Sequence, residues 1–370
     1  MEVLARAGEL EAAGHDVIHL EVGEPDFVTS EPVVAAGQRA LTEGKTRYTE
    51  ATGLKALRMQ ISLYYRAMGV DVGPERIIVT SGASGGLTLL AALLLNPGDE
   101  VLTTDPGYPC NEVFAQLVGG VARPIVTSPA TGFQPTPDDV AQNWNTHTRG
   151  VLLASPANPT GTMLSAQAVA DISDYARRRS GFFILDEIYQ GLVRGDVYRS
   201  GISVRDDLYI LNSFSKYFGM TGWRLGWIVV PPAAVEPVTR LAQNLFICPS
   251  TPAQYAAIEA FSPDAMAIHE SRAREFDARC ERLYTGLLAL GFTIPVKPQG
   301  AFYLYVDISH TGLHSRDFCR RLLDEYHVAV TPGADFGKAH EARYVRFAYT
   351  TSTASIDVAL ARLSRALKAW

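Results

Sequence analysis

Five short stretches of the chain hold side chains that could carry chemistry. Lys216 closes the run Ser213-Phe214-Ser215-Lys216, between an apolar stretch and the tryptophan-bearing segment 219–227. Those surroundings favour a lysine in a cleft. A lysine that is desolvated or held near another cation loses pKa and becomes a nucleophile or a Schiff-base former. The same run matches an SxxK acylation motif, but the SDN and KTG partners of that chemistry are absent. Gly82-Ala83-Ser84-Gly85-Gly86 satisfies GxSxG and has three readings. It is a nucleophile elbow with Ser84 attacking and His310, His327 or His340 downstream, a phosphate cradle at a helix N-terminus, or a plain strand-to-helix turn. Asp186 ends the apolar run 182–185, where a carboxylate is poorly hydrated unless paired. The competing role is a sheet-end aspartate that caps the next helix. Asn158-Pro159-Thr160-Gly161 is by itself a loop signal. Arg346 lies on a strand pattern, where a guanidinium needs an anion or a salt-bridge partner. His269-Glu270 and His340-Glu341 do not extend to HExxH, no GxGxxG follows a strand, and no GxxxxGK[ST] occurs, so no metal is called for.

These stretches recur at one kind of place. Ile77–Thr80, Glu100–Thr104, Val151–Ala154, Phe182–Leu185 and Leu208–Leu211 are short, nearly continuous apolar runs, each ending at a polar or glycine-rich cluster. Leu225–Val230 is a sixth, ending at two prolines. Runs of this kind read as strands buried on both faces. Helical patterns fill the gaps, among them Leu87–Leu95 and Ser165–Arg178, the latter with Ser165 as N-cap. Strands alternating with helices predict an α/β fold with a largely parallel sheet. After about residue 262 the pattern changes. A long helix is expected over Ala265–Leu290, closed by Gly291 at C′. A strand at AFYLYVDI follows, then a helix over Ser315–Tyr326, strands near Val328 and Tyr344–Tyr349, and a final helix. This predicts a smaller α+β unit, completed by the N-terminal segment around Ile18–Val22. In an open α/β sheet, ligands bind outside the carboxyl ends of the strands.

One cofactor would use these strand-end groups together. Pyridoxal phosphate needs a lysine for its aldehyde, a carboxylate for its pyridine nitrogen, an anion site for its phosphate and donors to its ring oxygen. Asn158, Asp186 with Tyr189, Lys216 and Arg224 supply these from successive strand ends. At this point the sequence resembles the class I, aspartate aminotransferase-like family of fold type I pyridoxal phosphate enzymes. The matching segments run from EVGEPDF (21–27) through TRYTEATGLKALR, DPGYP, NPTG, DEIY, SFSKYFGMTGWRLGW and GAFYLY to RFAYTT (346–351), nearly the whole chain.

The resemblance implies a seven-stranded, mostly parallel sheet in a large cofactor-binding domain, residues 28–262. Residues 1–27 and 263–370 would form the small domain. It implies that Lys216 holds the aldehyde and shuttles the substrate proton, and that Asp186 pairs with the ring nitrogen. Asn158 and Tyr189 would bond the ring oxygen, and Tyr108 would stack on the ring. Gly82, Ala83, Ser84, Ser213 and Arg224 would bind the phosphate. Tyr48 would reach the phosphate of a neighbouring subunit, which implies a homodimer. Arg346, Gly23 and Asn158 would hold the substrate carboxylate. The activity implied is transfer of an amino group from an L-amino acid to a 2-oxo acid in two half-reactions at one site, with ping-pong kinetics. Two departures stand out. Related chains commonly begin earlier, so the arm sent across the dimer is expected to be shortened. Some members acting on acidic substrates carry a basic residue where Ser84 stands, so strict aspartate specificity is not expected.

Other functions remain: a carbon–sulfur β-lyase with the same cofactor and residues, a serine hydrolase using Ser84, or a binding protein that retains the fold. Composition narrows the field from another side. The 370 residues predict two or three domains at roughly 100–200 residues each. Thirty-three basic against 39 acidic residues give a net charge of −6, poorly suited to holding nucleic acid by counterion release. Four scattered cysteines make no disulfide scaffold or ligand cluster. The charged, helix-like start has no apolar signal core, and the Leu87–Leu95 stretch is shorter than the about 20 residues that cross a bilayer. A cytoplasmic enzyme of small molecules is expected.

Overall fold

The computed structural model describes residues 2–195 and 199–370. Residue 1 of the expected small domain and residues 196–198 of the expected large domain lie outside that range. A seven-stranded sheet organises the first two thirds of the chain. Its strand order is Ile77–Thr80, Gly226–Val229, Tyr209–Ser213, Phe182–Asp186, Thr148–Ala154, Glu100–Asp105 and Val121–Val126. Gly226–Val229 runs antiparallel to both neighbours, and every other pairing is parallel. The interior strands are buried on both faces: all residues of Phe182–Asp186 and of Gly226–Val229 are buried. This accounts for their continuous apolar runs, because helices cover both sides of a parallel sheet.

Six strands fall where the apolar runs predict them, within a few residues. Val121–Val126 has no such run. It is one of the sheet's two edge strands and, unlike the buried Ile77–Thr80 at the other edge, most of its residues face partly to solvent, and Pro124 lies within it. A proline is tolerated there because an edge strand leaves one row of N–H groups unpaired. The helix after Ile77–Thr80 starts earlier than its leucines indicate, at Gly82, so that the glycine-rich segment is its first turn. Ser165 caps Ala166–Arg178, accepting from the Ala168 N–H at 3.1 Å.

The remainder of the chain packs around a second hydrophobic cluster. A three-stranded antiparallel sheet, ordered Thr331–Pro332, Tyr344–Ala348 and Tyr303–Asp307, lies beside a parallel pair in which Ile18 faces Val328. Helices Ser315–Tyr326 and Thr353–Ala369 cover these strands. Helix Pro263–Ala289 spans both clusters. Ala265 packs with the large sheet's core, while Phe276, Cys280, Leu283 and Leu287 pack with the second. Gly291, at φ +88°, follows its C-cap as expected. Among the described residues no helix is long and apolar enough to cross a membrane.

Candidate active site

The carboxyl ends of the parallel strands converge on a cavity of about 370 Å³. Chain direction explains which residues reach it. Ile77–Thr80, Thr148–Ala154, Phe182–Asp186 and Tyr209–Ser213 all point the same way, so the residues after them arrive at one edge: Ala83 and Ser84, Asn158, Asp186 and Tyr189, and Lys216. Gly226–Val229 runs the opposite way, so Arg224, two residues before it, is delivered to that edge too. Gly23, Tyr108, Ser213 and Arg346 also line the cavity.

Two of the expected residues do not line this cavity. Gly82 lies behind Arg224 rather than on the wall, and a Cβ there would stand 2.6 Å from an Arg224 guanidinium nitrogen. Tyr48 lies elsewhere in its own chain, 78% exposed and lining a separate hollow with Lys45, Arg47 and Tyr255. The sheet also brings in residues that the motifs did not single out, notably Tyr303, Thr221, Ile188 and Leu87. The pattern of GAFYLY hides Tyr303, because every residue of Tyr303–Asp307 is buried and no alternation marks the face turned to the cavity.

Burial shapes the two titrating groups. Asp186 is pushed up to about 7 by burial, against the Ile188 N–H, which donates to its Oδ1 at 3.0 Å, and the nearby Lys216 cation. No α-helix begins beside it, so its role is not that of a helix cap. Lys216 is brought down to about 8, first by burial and then by Arg346 and Arg224; Glu24 and Asp186 work against this. Its ammonium donates to the Gly23 carbonyl at 2.7 Å.

The anion ends are equally distinct. Helix Gly82–Leu94 turns its first N–H groups toward the cavity at Ala83 and Ser84, where a helix N-terminus carries partial positive charge. Ser213 and Arg224 flank it, and Arg224 is held in the left-handed region at φ +53°. At the other end, Arg346 is 6% exposed. One terminal nitrogen donates to Asn158 Oδ1 at 2.9 Å, and the other to the Glu21 carbonyl and to Thr331 Oγ1 at 3.2 Å. Among the described residues its Nε is buried without a partner. A buried guanidinium held by neutral acceptors, with a donor to spare, is suited to a carboxylate.

The hydrolase geometry is absent. Among the residues lining the cavity around Ser84 there is no histidine. His310 packs on Phe292, His327 on His15, and His340 on Tyr344.

The residues present fit pyridoxal phosphate. A buried carboxylate calls for a protonated nitrogen, a desolvated lysine for a carbonyl carbon, and a helix N-terminus beside Ser213 and Arg224 for a phosphate.

The sequence profile described as aminotransferase class I and II matches residues 15–363. The chain is 36% identical over 371 residues to a (5-formylfuran-3-yl)methyl phosphate transaminase of Methanocaldococcus jannaschii, covering 99% of this chain and 96% of that one. It is 35% identical to a valine–pyruvate aminotransferase of Mycobacterium tuberculosis, covering 98% and 94%. The structure of a Thermus thermophilus aspartate aminotransferase with maleate superposes with a TM-score of 0.92 at 34% identity, covering 98% and 95%. Lysine, carboxylate and paired anion sites around one cavity, and likeness along nearly the full length, lead to one conclusion: this chain belongs to the class I and II aminotransferases, pyridoxal phosphate enzymes that move an amino group from an amino acid to a 2-oxo acid by a ping-pong mechanism.

Proposed function

We propose that this chain binds pyridoxal phosphate in the cavity around Lys216 and transaminates L-amino acids there, as one half of a homodimer. The observation that carries the reading is the pairing of a desolvated Lys216 with a buried Asp186 in a cavity that has a cationic end on each side. When bound, the cofactor supplies the electron sink that lets the α-carbon lose a proton.

The chain's own groups supply the rest. Lys216, neutral more readily than an ordinary lysine, holds the aldehyde and then moves the proton at the substrate α-carbon. Asp186 keeps the ring nitrogen protonated. Asn158 and Tyr189 donate to the ring oxygen, and Tyr108, 39% exposed, covers the ring. Ala83, Ser84, Ser213 and Arg224 bind the phosphate, with Gly82 leaving room for Arg224. Arg346, Asn158 and Gly23 orient the substrate by its carboxylate, so that every amino acid presents its α-carbon to the same lysine. The second half-reaction uses the same groups in reverse with a 2-oxo acid.

The division into a large domain, 28–262, and a small one, 1–27 with 263–370, belongs to this proposal. It is supported by the separate hydrophobic cores of the large sheet and of the segment after it, and by Arg346 lying on a strand of the latter. The exposure of Tyr48, away from its own chain's cavity, supports the dimer. Cytoplasmic residence is supported by four cysteines that are all free. Serine at position 84 supports a substrate range not restricted to aspartate.

Borohydride reduction of the protein loaded with pyridoxal phosphate, followed by peptide mapping, tests the reading. The expected result is an adduct on Lys216 and a visible band that an amino donor bleaches. No adduct at Lys216, or full activity in Lys216→Ala, overturns it. Pyruvate release from cystathionine with no acceptor present would instead mark a β-lyase.

A further inference from the structure

Tyr303 touches three residues around the cavity: Tyr189, Gly23 and Arg346. It is 1% exposed, and its hydroxyl lies 2.8 Å from the hydroxyl of Tyr189. The same hydroxyl presses on the Gly23 backbone, where an added Cβ would come within 2.3 Å of it. Gly23 is the residue whose carbonyl receives Lys216. The Arg346 guanidinium lies over the Tyr303 ring, 4.3 Å from its centroid. Strand register explains this contact. Arg346 pairs with Tyr305 across the antiparallel ladder, so Tyr303 is its diagonal neighbour on the same face.

A buried guanidinium over an aromatic face is held both in place and in orientation by the ring quadrupole. Among the described residues its Nε has no partner, and the guanidinium is held between two rings, Tyr303 and, 4.8 Å from its centroid, Phe336. The two hydroxyls form a buried pair, and a hydroxyl that accepts from one neighbour becomes a stronger donor to the next.

We propose that Tyr303 is the positioning residue that joins the two halves of this site. Its ring holds Arg346 flat for the substrate carboxylate, and its hydroxyl supports Tyr189 as donor to the cofactor ring oxygen. The inference rests on the aminotransferase reading above, and two variants separate its two parts. Tyr303→Phe keeps the ring and removes the hydroxyl; Tyr303→Leu removes the ring. A weaker Tyr189 donor stabilises the ring oxygen anion less, so the lysine-bound nitrogen keeps its proton to higher pH.

In Tyr303→Phe, the pH midpoint of the visible band of the loaded protein is therefore expected to rise, in the same direction as in Tyr189→Phe but less, with KM near wild type. In Tyr303→Leu, KM for the amino acid and for the 2-oxo acid is expected to rise together by about tenfold, with a smaller change in kcat. A general loss of structure would not split KM from kcat in this way or move the midpoint. An unchanged midpoint in Tyr303→Phe overturns the proposal, and so does an unchanged KM in Tyr303→Leu. If Tyr303→Leu does not fold, the midpoint of Tyr303→Phe decides alone. A wild-type protein with no visible band overturns the aminotransferase reading instead, which keeps the two failures apart.

Discussion

Asp186 and Lys216 are driven in opposite directions by the same burial, and both shifts weaken the cofactor-free chain near neutral pH. Asp186 rises from 3.8 to about 7. A group raised on folding contributes stability that is fully present below its unfolded pKa and is lost as pH climbs through the folded one. Here the loss falls between about pH 4 and 7. Lys216 falls from 10.5 to about 8, so its contribution is present above its unfolded pKa and is lost as pH drops toward 8. The prediction is specific to the carboxylate. In cofactor-free protein, Asp186→Asn should leave the thermal midpoint unchanged at pH 4 and raise it at pH 8, because the amide cannot ionise yet still accepts from Ile188. With pyridoxal phosphate, the same variant should bind less tightly. Differential scanning at both pH values checks this, and a fall in midpoint at pH 8 would contradict it. The chemistry of these two residues was legible from sequence, as a lysine and an aspartate at the ends of apolar runs. Tyr303 was not, because its task depends on a strand pairing between residues 303–307 and 344–348 that lie far apart in the chain.

At the scale of elements, the phosphate end depends on how a strand gives way to a helix. Gly82 opens helix Gly82–Leu94 at φ +70°, directly against Arg224. An alanine there meets both a left-handed backbone penalty of about 1–2 kcal/mol and the Arg224 guanidinium. Gly98 provides the control, since it has a similar φ of +86° and nothing within 4 Å of an added Cβ. Gly82→Ala is expected to weaken pyridoxal phosphate binding by about tenfold or more, whereas Gly98→Ala should lower stability alone. Absorbance titration and thermal unfolding of the two variants check the contrast. The GxSxG pattern left elbow, cradle and turn open, and the histidine-free cavity removes the elbow. The buried strands were legible as apolar runs because both of their faces are covered. Val121–Val126 was not, because an edge strand half in water carries neither a continuous run nor a clean alternation.

The whole molecule raises the question of Tyr48, which stands on the surface of its own chain and away from its own cavity. If it serves the neighbouring subunit, a hybrid dimer reveals it. Pairing a Lys216→Ala protomer with a Tyr48→Ala protomer puts both changes in one site and leaves the other intact. The hybrid should then exceed both parents and approach about half the wild-type activity. If Tyr48 served its own chain, each site would carry one change and no recovery would appear. Subunit exchange followed by a transamination assay distinguishes the two.

The sequence by itself determined the chemistry of this protein: which lysine, carboxylates and arginines stand at the ends of apolar runs, in an order that a pyridoxal phosphate site needs. Local pattern sufficed there because a buried parallel strand announces itself in composition and its ends face the ligand. Only the tertiary structure decided the company those residues keep. The antiparallel run of Gly226–Val229 brings Arg224 to the common edge. The ladder between Tyr303–Asp307 and Tyr344–Ala348 places Arg346 on Tyr303, whose hydroxyl lies against Gly23 and Tyr189. Strand direction and register are set by contacts between distant segments, and no periodicity within one segment encodes them.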